Sequence, residues 1–320
     1  MSTVSPLAAT GQSRATVRTE DGVALEVRIC GPRHPDLTVV LSHGHCGHGE
    51  SWAAVRDALR RQYPNARVVC YDHRGHGDSA RADHRTYTLE QLADDLGAVL
   101  ATVAPTGPVV LVGHSMGGMS VLTYVGRNPA QIGERVIGVG LIATAASSLT
   151  EAGLGRFLRH PIISAFQTAV RYAPGLMHCA KLLAGKAFAP IIHRAQRGDR
   201  PVGSRWLTLA NAIHNQTPIV TMAAFLQAFT TYDRTDALAT LSRIPTLILC
   251  GSADLLTPPA HSVAMAAAID YADLVLIPGA GHSVIIDHPS HVAEALTRLI
   301  TRAHDTRTTP TPARGGRIVL

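Results

Sequence analysis

The chain has 320 residues, 46% of them hydrophobic and 16% charged, with 29 Lys plus Arg against 23 Asp plus Glu. That length and apolar content suffice to bury a large core, and they fit one α/β domain with an insertion better than two independent domains. The net charge of +6 comes with only 4% aromatic residues and no recognition motif, so nucleic-acid binding is not expected.

The opening residues MSTVSPLAATGQSRATV contain no basic segment followed by an apolar core. They read as lacking a signal peptide, and residues 1–14 are expected to form a flexible N-terminus. Strands are predicted near 15–20, 23–30, 37–42, 66–71, 109–113, 135–143, 245–250 and 273–278. Helical patterns near 50–62, 88–104, 116–127, 259–269 and 288–303 alternate with them, as in a mostly parallel sheet of about eight strands flanked by helices. Glu20, Asp21 and Gly22 read as the turn of an opening hairpin, because Asp-Gly tolerates positive φ. The apolar run VIGVGLIATAA at 136–146 is about half the roughly 20 residues of a membrane span. It reads as a buried parallel strand, so no transmembrane segment is expected.

Residues 147–235, between the sixth and seventh predicted strands, are too many for a crossover and are read as a helical cap. This leaves 15–146 and 236–303 as the core domain. Phe157, Leu158, Ile162, Ile163, Phe166 and Val170 recur at helical spacing and predict an amphipathic first cap helix. Its apolar face could pack on the core or roof a pocket, with Phe157 and Phe166 as candidate lining residues. Between 150 and 235 there are ten Lys plus Arg and three acids, Glu151, Asp199 and Asp233. Such a cap could make weak peripheral contact with anionic lipid, or carry its charges only on a solvated face. Residues 304–320 are Thr, Pro, Gly and Arg-rich and are expected to be a flexible tail.

The chemistry is concentrated at strand ends. VVLVGHSMGG places Ser115 in a GxSxG pentapeptide between a β-branched run and a helical stretch. A serine hydroxyl is a poor nucleophile unless it is held out from the backbone beside a base and near N–H donors. A strand-to-helix elbow does this, with Gly113 and Gly117 at positions where a side chain would collide with neighbouring backbone. Downstream, IPTLILCGSAD ends in Asp254 and ADLVLIPGAGH ends in His282. All three residues follow strands, as sites on open parallel sheets do. Asp233 and Asp236 are reserve acids. Asp287 reads as a helix-start residue, and Asp72 and Asp78 as loop-shaping carboxylates.

His43, His45 and His48 also reproduce the histidine spacing of an HxHxDH zinc motif, but Gly47 stands where the aspartate would be. No metal and no cofactor is expected. Cys30, Cys46, Cys70, Cys179 and Cys250 are odd in number and lack CxxC spacing. They read as reduced thiols, and a cytoplasmic location is the default expectation.

Taken together, GHSMGG, the His43-Gly44 pair, YDHRGHGDS at 71–79, CGSAD at 250–254 and GAGH at 279–282 resemble the α/β-hydrolase superfamily in its capped, serine esterase and lipase-like branch. The likeness spans about residues 16–303. It implies an α/β-hydrolase fold, cofactor-free ester hydrolysis through an acyl-enzyme, and a catalytic triad of Ser115, Asp254 and His282. It also implies an oxyanion hole made by the backbone N–H groups of His45 and Met116, whose side chains would line the pocket. The expected partner is a small ester or acyl substrate. A thioester substrate, a lyase or cyclase reaction, a receptor role and the oligomeric state all stay open at this level.

Overall fold

The computed structural model describes residues 3–4, 12–181, 197–198, 217–308 and 318–319. The sheet contains β1 (Thr3–Val4), β2 (Gln12–Arg18), β3 (Ala24–Cys30), β4 (Leu37–Ser42), β5 (Ala66–Tyr71) and β6 (Val109–His114), followed by β7 (Val136–Ile142), β8 (Thr246–Gly251), β9 (Ala272–Ile277) and β10 (Ile318–Val319). Their order is β1-β2-β3-β5-β4-β6-β7-β8-β9-β10. The pairings β1/β2, β2/β3 and β3/β5 are antiparallel, and the rest are parallel.

The eight expected strands form the body of this sheet, with a two-residue pairing added at each edge. The central strands LTVVLS, VVLVGH, VIGVGLI and TLILCG are buried at every position, which explains why they are continuous apolar runs rather than alternating ones. Helices cover both faces. α1 (Ala53–Gln62) shares one core cluster with the helix Pro289–Thr308, while α2 (Leu89–Val103) and α3 (Met116–Arg127) lie in the other.

Both ends of the chain differ from expectation. β2 begins at Gln12, within the segment read as flexible, and Thr3–Val4 adds to its edge. The last helix continues to Thr308, since AHDTRT contains nothing that breaks a helix, and Ile318–Val319 runs parallel to β9. An exposed sheet edge offers unpaired backbone groups, and short β-prone segments near the termini satisfy them.

The first insertion helix is also shorter than expected. The stretch Gly153–Arg159 is a 3₁₀ turn, and α4 (Pro161–Tyr172) starts afresh behind it. Pro161 has no N–H to continue a helix, and the His160 side chain accepts from Ile162 N–H as the cap. Phe157 and Leu158 therefore do not share a helical face with Ile162 and Phe166. Lys186, Arg194, Asp199, Arg200 and Arg205, counted above among the cap charges, lie outside the described residues.

Candidate active site

β6 pairs with β4 on one side of the switch in strand order, and β4 pairs with β5 on the other. At such a point the loops leaving adjacent strands diverge and open a crevice at their carboxyl ends. Ser115 stands there with φ 52° and ψ −121°, outside the regions favoured by residues with a Cβ. The surroundings over-determine this strained geometry. Ser115 N–H donates to Ile142 O at 2.9 Å, while Ser115 O accepts from Gly118 N–H at 2.8 Å and Thr144 Oγ1 at 2.8 Å. A methyl on Gly113 would lie 2.3 Å from Gly117 O, and one on Gly117 would lie 2.3 Å from Ser42 O. The glycine spacing of the pentapeptide is thus a packing requirement.

Asp254 and His282 meet as expected. His282 Nδ1 is 2.8 Å from Asp254 Oδ2, and both residues are buried. The remaining bonds of the carboxylate fix its orientation: Oδ1 accepts from Leu256 N–H at 2.8 Å and Thr257 N–H at 3.0 Å, and Oδ2 accepts from Thr257 Oγ1 at 2.9 Å. Gly251 lets the loops carrying the two residues approach, because a methyl there would lie 2.1 Å from Ala280 O.

His114, which precedes Ser115 in the pentapeptide, joins three loops. Its Nε2 donates to His282 O at 2.9 Å, its ring centre is 5.0 Å from that of His282, and a methyl on Gly44 would come 2.8 Å from its Nδ1 and 3.1 Å from Ser115 Cβ. Burial pushes the His114 imidazole down to about 3, so it stays neutral and keeps a defined tautomer.

The loop carrying His45 rests on a lattice of neutral imidazoles. His43 Nδ1 donates to Gly44 O at 2.7 Å, and His43 Nε2 accepts from His73 N–H at 2.9 Å. His73 Nε2 donates to His43 O at 3.0 Å, and His76 Nε2 accepts from Cys46 N–H at 3.2 Å, which holds Cys46 at φ 60°. Burial lowers the pKa values of His43, His73 and His76, the last two to about 3 and about 4. Both ring nitrogens of His43 are thus committed to backbone partners, and His48 Nδ1 accepts from Glu50 N–H at the start of a 3₁₀ turn. The spacing that resembled a zinc motif is used to shape the loop. Beneath it, buried Asp72 accepts from Arg28 Nη1 at 3.1 Å, Gly49 N–H at 2.6 Å and Asp78 N–H at 2.9 Å, so the YDHRGHGDS carboxylates do shape loops.

The candidate pocket residues fall in different places. Met116 is fully buried in an apolar cluster with Met119, Tyr87, Leu149, Phe225 and Tyr232. The His45 ring stands edge-on to Phe225 at 5.9 Å and Phe229 at 5.4 Å. Phe166 instead packs with Val170, Ile219 and Ala223 in a separate cluster, and Phe157 is 60% exposed. Phe225 and Phe229, one helical turn apart on the helix Ile219–Thr230, went unnoticed in the sequence reading. Their i, i+4 spacing was the available signal.

Of the reserve acids, Asp233 accepts from its near neighbour Thr235, and Asp236 opens the helix Asp236–Leu241. Asp287 does not start a helix. It ends the short turn Val284–Asp287 and pairs with Arg197 at 3.1 Å. The insertion also touches the loops carrying Asp254 and His282: Leu154 N–H donates to Leu255 O at 2.8 Å, and Gly198 bridges to Ala280. The five cysteines are unpaired thiols, four of them buried. Among the described residues no helix is long and apolar enough to cross a membrane.

A family model described as "alpha/beta hydrolase fold" matches residues 38–289. The chain is 25% identical over 284 residues to proline iminopeptidase PfmaB of Pestalotiopsis fici, a match covering 83% of this chain and 92% of that one. Its fold superposes on a bromoperoxidase from Bacillus anthracis with a TM-score of 0.73 and 22% identity, covering 90% of this chain and all of the other. A thermophilic esterase from Thermogutta terrifontis gives a TM-score of 0.68 with 26% identity, covering 91% of this chain and 99% of that one.

Proposed function

We propose that this chain, which belongs to the α/β hydrolase fold family, is a serine hydrolase that cleaves a carboxylic ester through an acyl-enzyme. The observation that carries this reading is the buried 2.8 Å pair of His282 and Asp254, whose loop His114 ties back to the strained Ser115 elbow. With its Nδ1 proton directed at Asp254, His282 presents Nε2 as the base. It takes the Ser115 proton as Oγ attacks the ester carbonyl, and Asp254 stabilises the resulting imidazolium. Met116 is the first residue of α3, so its N–H lacks an intrahelical acceptor and points with the positive end of the helix dipole. We assign the oxyanion to this group and to the N–H of His45. The imidazolium then protonates the departing alcohol, and His282 activates the water that releases the acid.

We place the acyl group beside the apolar cluster of Met116, Met119 and Phe225, with Phe229 next to His45, and these neighbours favour a medium-chain or lipid-like acyl group. We propose that the insertion between β7 and β8, the span 147–235, acts as the cap over this pocket. The name of the Pestalotiopsis relative supports a second reading, cleavage of an amide, which uses the same groups. The deciding experiment is fluorophosphonate labelling together with turnover of matched ester, thioester, lactone and amide substrates. Labelling at Ser115 with ester turnover that survives chelators is expected. Labelling without hydrolysis of any member would favour a receptor or a non-hydrolytic reaction, and absence of labelling would remove Ser115 as the nucleophile.

A further inference from the structure

The insertion has a face for which the proposed ester chemistry has no use. From Ala152 to Gly198 the sequence contains no Asp or Glu and seven Lys plus Arg. Arg156, Arg159 and Arg171 are exposed there. Apolar groups accompany them. Among the described residues, four of the eight exposed large hydrophobic ones fall within this one stretch: Phe157 at 60%, Ile162 at 63%, Tyr172 at 79% and Leu176 at 71%.

Helical geometry explains why the two on α4, Ile162 and Tyr172, are uncovered. At about 100° per residue, Phe166 and Val170 of α4 lie on one arc, and this arc packs on Ile219 and Ala223. Ile162, Ala165, Ala169 and Tyr172 follow at spacings of three, four and three, forming a second stripe beside the first. The apolar arc of α4 therefore extends beyond the residues that its partner helix covers. A contiguous apolar stripe of this kind on a protein surface marks an interaction site.

The charge decides between occupants. A second copy of the chain docking face to face would set two faces of the same sign against each other, with no Asp or Glu from Ala152 to Gly198 to offset the arginines. An anionic bilayer complements both features at once: its headgroups attract the arginines, and its interfacial region accepts Ile, Phe, Leu and Tyr side chains. We propose that the exposed face of α4, with the 3₁₀ turn before it and the helical residues 174–181 after it, is a docking surface for an anionic lipid bilayer. Docking there would bring the cap, and the pocket we place beneath it, to the phase in which lipid-like esters reside. The binding itself does not depend on the nucleophile.

The test therefore uses the full chain carrying Ser115→Ala, sedimented with vesicles of phosphatidylcholine alone or mixed equally with phosphatidylglycerol. Binding to the mixed vesicles only is expected, and it should weaken severalfold or more when salt rises from about 0.1 M, where exposed charges are screened over about 10 Å. Replacing Arg156, Arg159 and Arg171 together with Gln should lower partitioning by about tenfold or more. Ile162→Ser with Tyr172→Ser should also weaken it, while circular dichroism and, in the Ser115 background, turnover of a water-soluble ester stay unchanged. Equal sedimentation with both vesicle types, no sedimentation, or binding indifferent to the stripe changes would overturn the proposal. So would a dimer in light scattering that Ile162→Ser dissolves.

Discussion

Ser115 is held in its strained conformation by backbone bonds on both sides, and His282 is oriented by a carboxylate that accepts from four donors. Such preorganisation makes the residues act as a unit. Ser115→Ala and His282→Ala should each lower ester turnover by about 10⁴-fold or more, and the double variant should be little worse. Independent multiplication of the two losses in steady-state kinetics would refute the assignment. His114 acts at one remove, through the carbonyl of His282. His114→Phe should lower kcat by about 10- to 100-fold with KM nearly unchanged, because it displaces the base rather than the substrate. His114→Gln should recover most of the loss, since its amide nitrogen can donate where Nε2 does. Equal impairment of the two variants would reduce His114 to a packing role.

At the scale of elements, the segment after β5 works as a clasp. Arg74 is fully buried and bonds Asp95 of α2 through Nε at 2.7 Å and Nη2 at 2.6 Å. Its Nη1 reaches Asp21 in the hairpin turn and Thr86, both at 2.8 Å. One side chain thus joins the antiparallel hairpin, α2 and the segment leading into it. Arg74→Met should cost about 3–5 kcal/mol in urea unfolding, because Asp95 is left charged and buried without its partner. A loss below about 1 kcal/mol would mean that water or another group takes over. For the helix Ile219–Thr230 we propose a role in substrate selection. Phe229 is only partly buried, so Phe229→Ala should shift acyl chain-length preference by about tenfold in kcat/KM while fluorophosphonate labelling persists. An unchanged preference would place the acyl chain elsewhere.

For the whole molecule, the buried neutral imidazoles set acid tolerance. His43, His73, His76 and His114 have folded-state pKa values depressed below the ordinary 6.5, three of them to about 3 or 4. As pH falls below 6.5 the unfolded chain takes up protons that the folded chain refuses, so stability drops. Each imidazole contributes a slope approaching about 1.4 kcal/mol per pH unit until its folded pKa is reached. Asp21, lowered to about 2 mainly by its bond to Arg74, adds a loss of the same sign below about 4. Urea midpoints should therefore fall steadily from pH 6.5 downward, well above the carboxylate range. A midpoint flat down to pH 5 would show that water reaches these rings in the fold.

Much of this protein could be read from local pattern. Continuous apolar runs marked the buried strands, and GxSxG, CGSAD and GAGH marked the strand ends, because burial and close approach restrict residue type at neighbouring positions in the chain. The positions of Ser115, Asp254 and His282 after β6, β8 and β9 were legible for the same reason. What the sequence could not supply was the company that side chains keep across long separations. His114 beside the His282 carbonyl, Arg74 between Asp21 and Asp95, and Phe225 against His45 depend on how crossovers stack the loops at the switch between β4 and β6. Two termini read as flexible hold short edge pairings, since a sheet edge captures strands that composition alone would leave free. Hydrophobic periodicity marked Phe166 and Val170 on the inner arc of α4 but grouped them with Phe157, Leu158 and Ile162, which the fold places elsewhere. It could not tell which apolar residues find a partner, because coverage is a property of the packed neighbours and not of the helix itself.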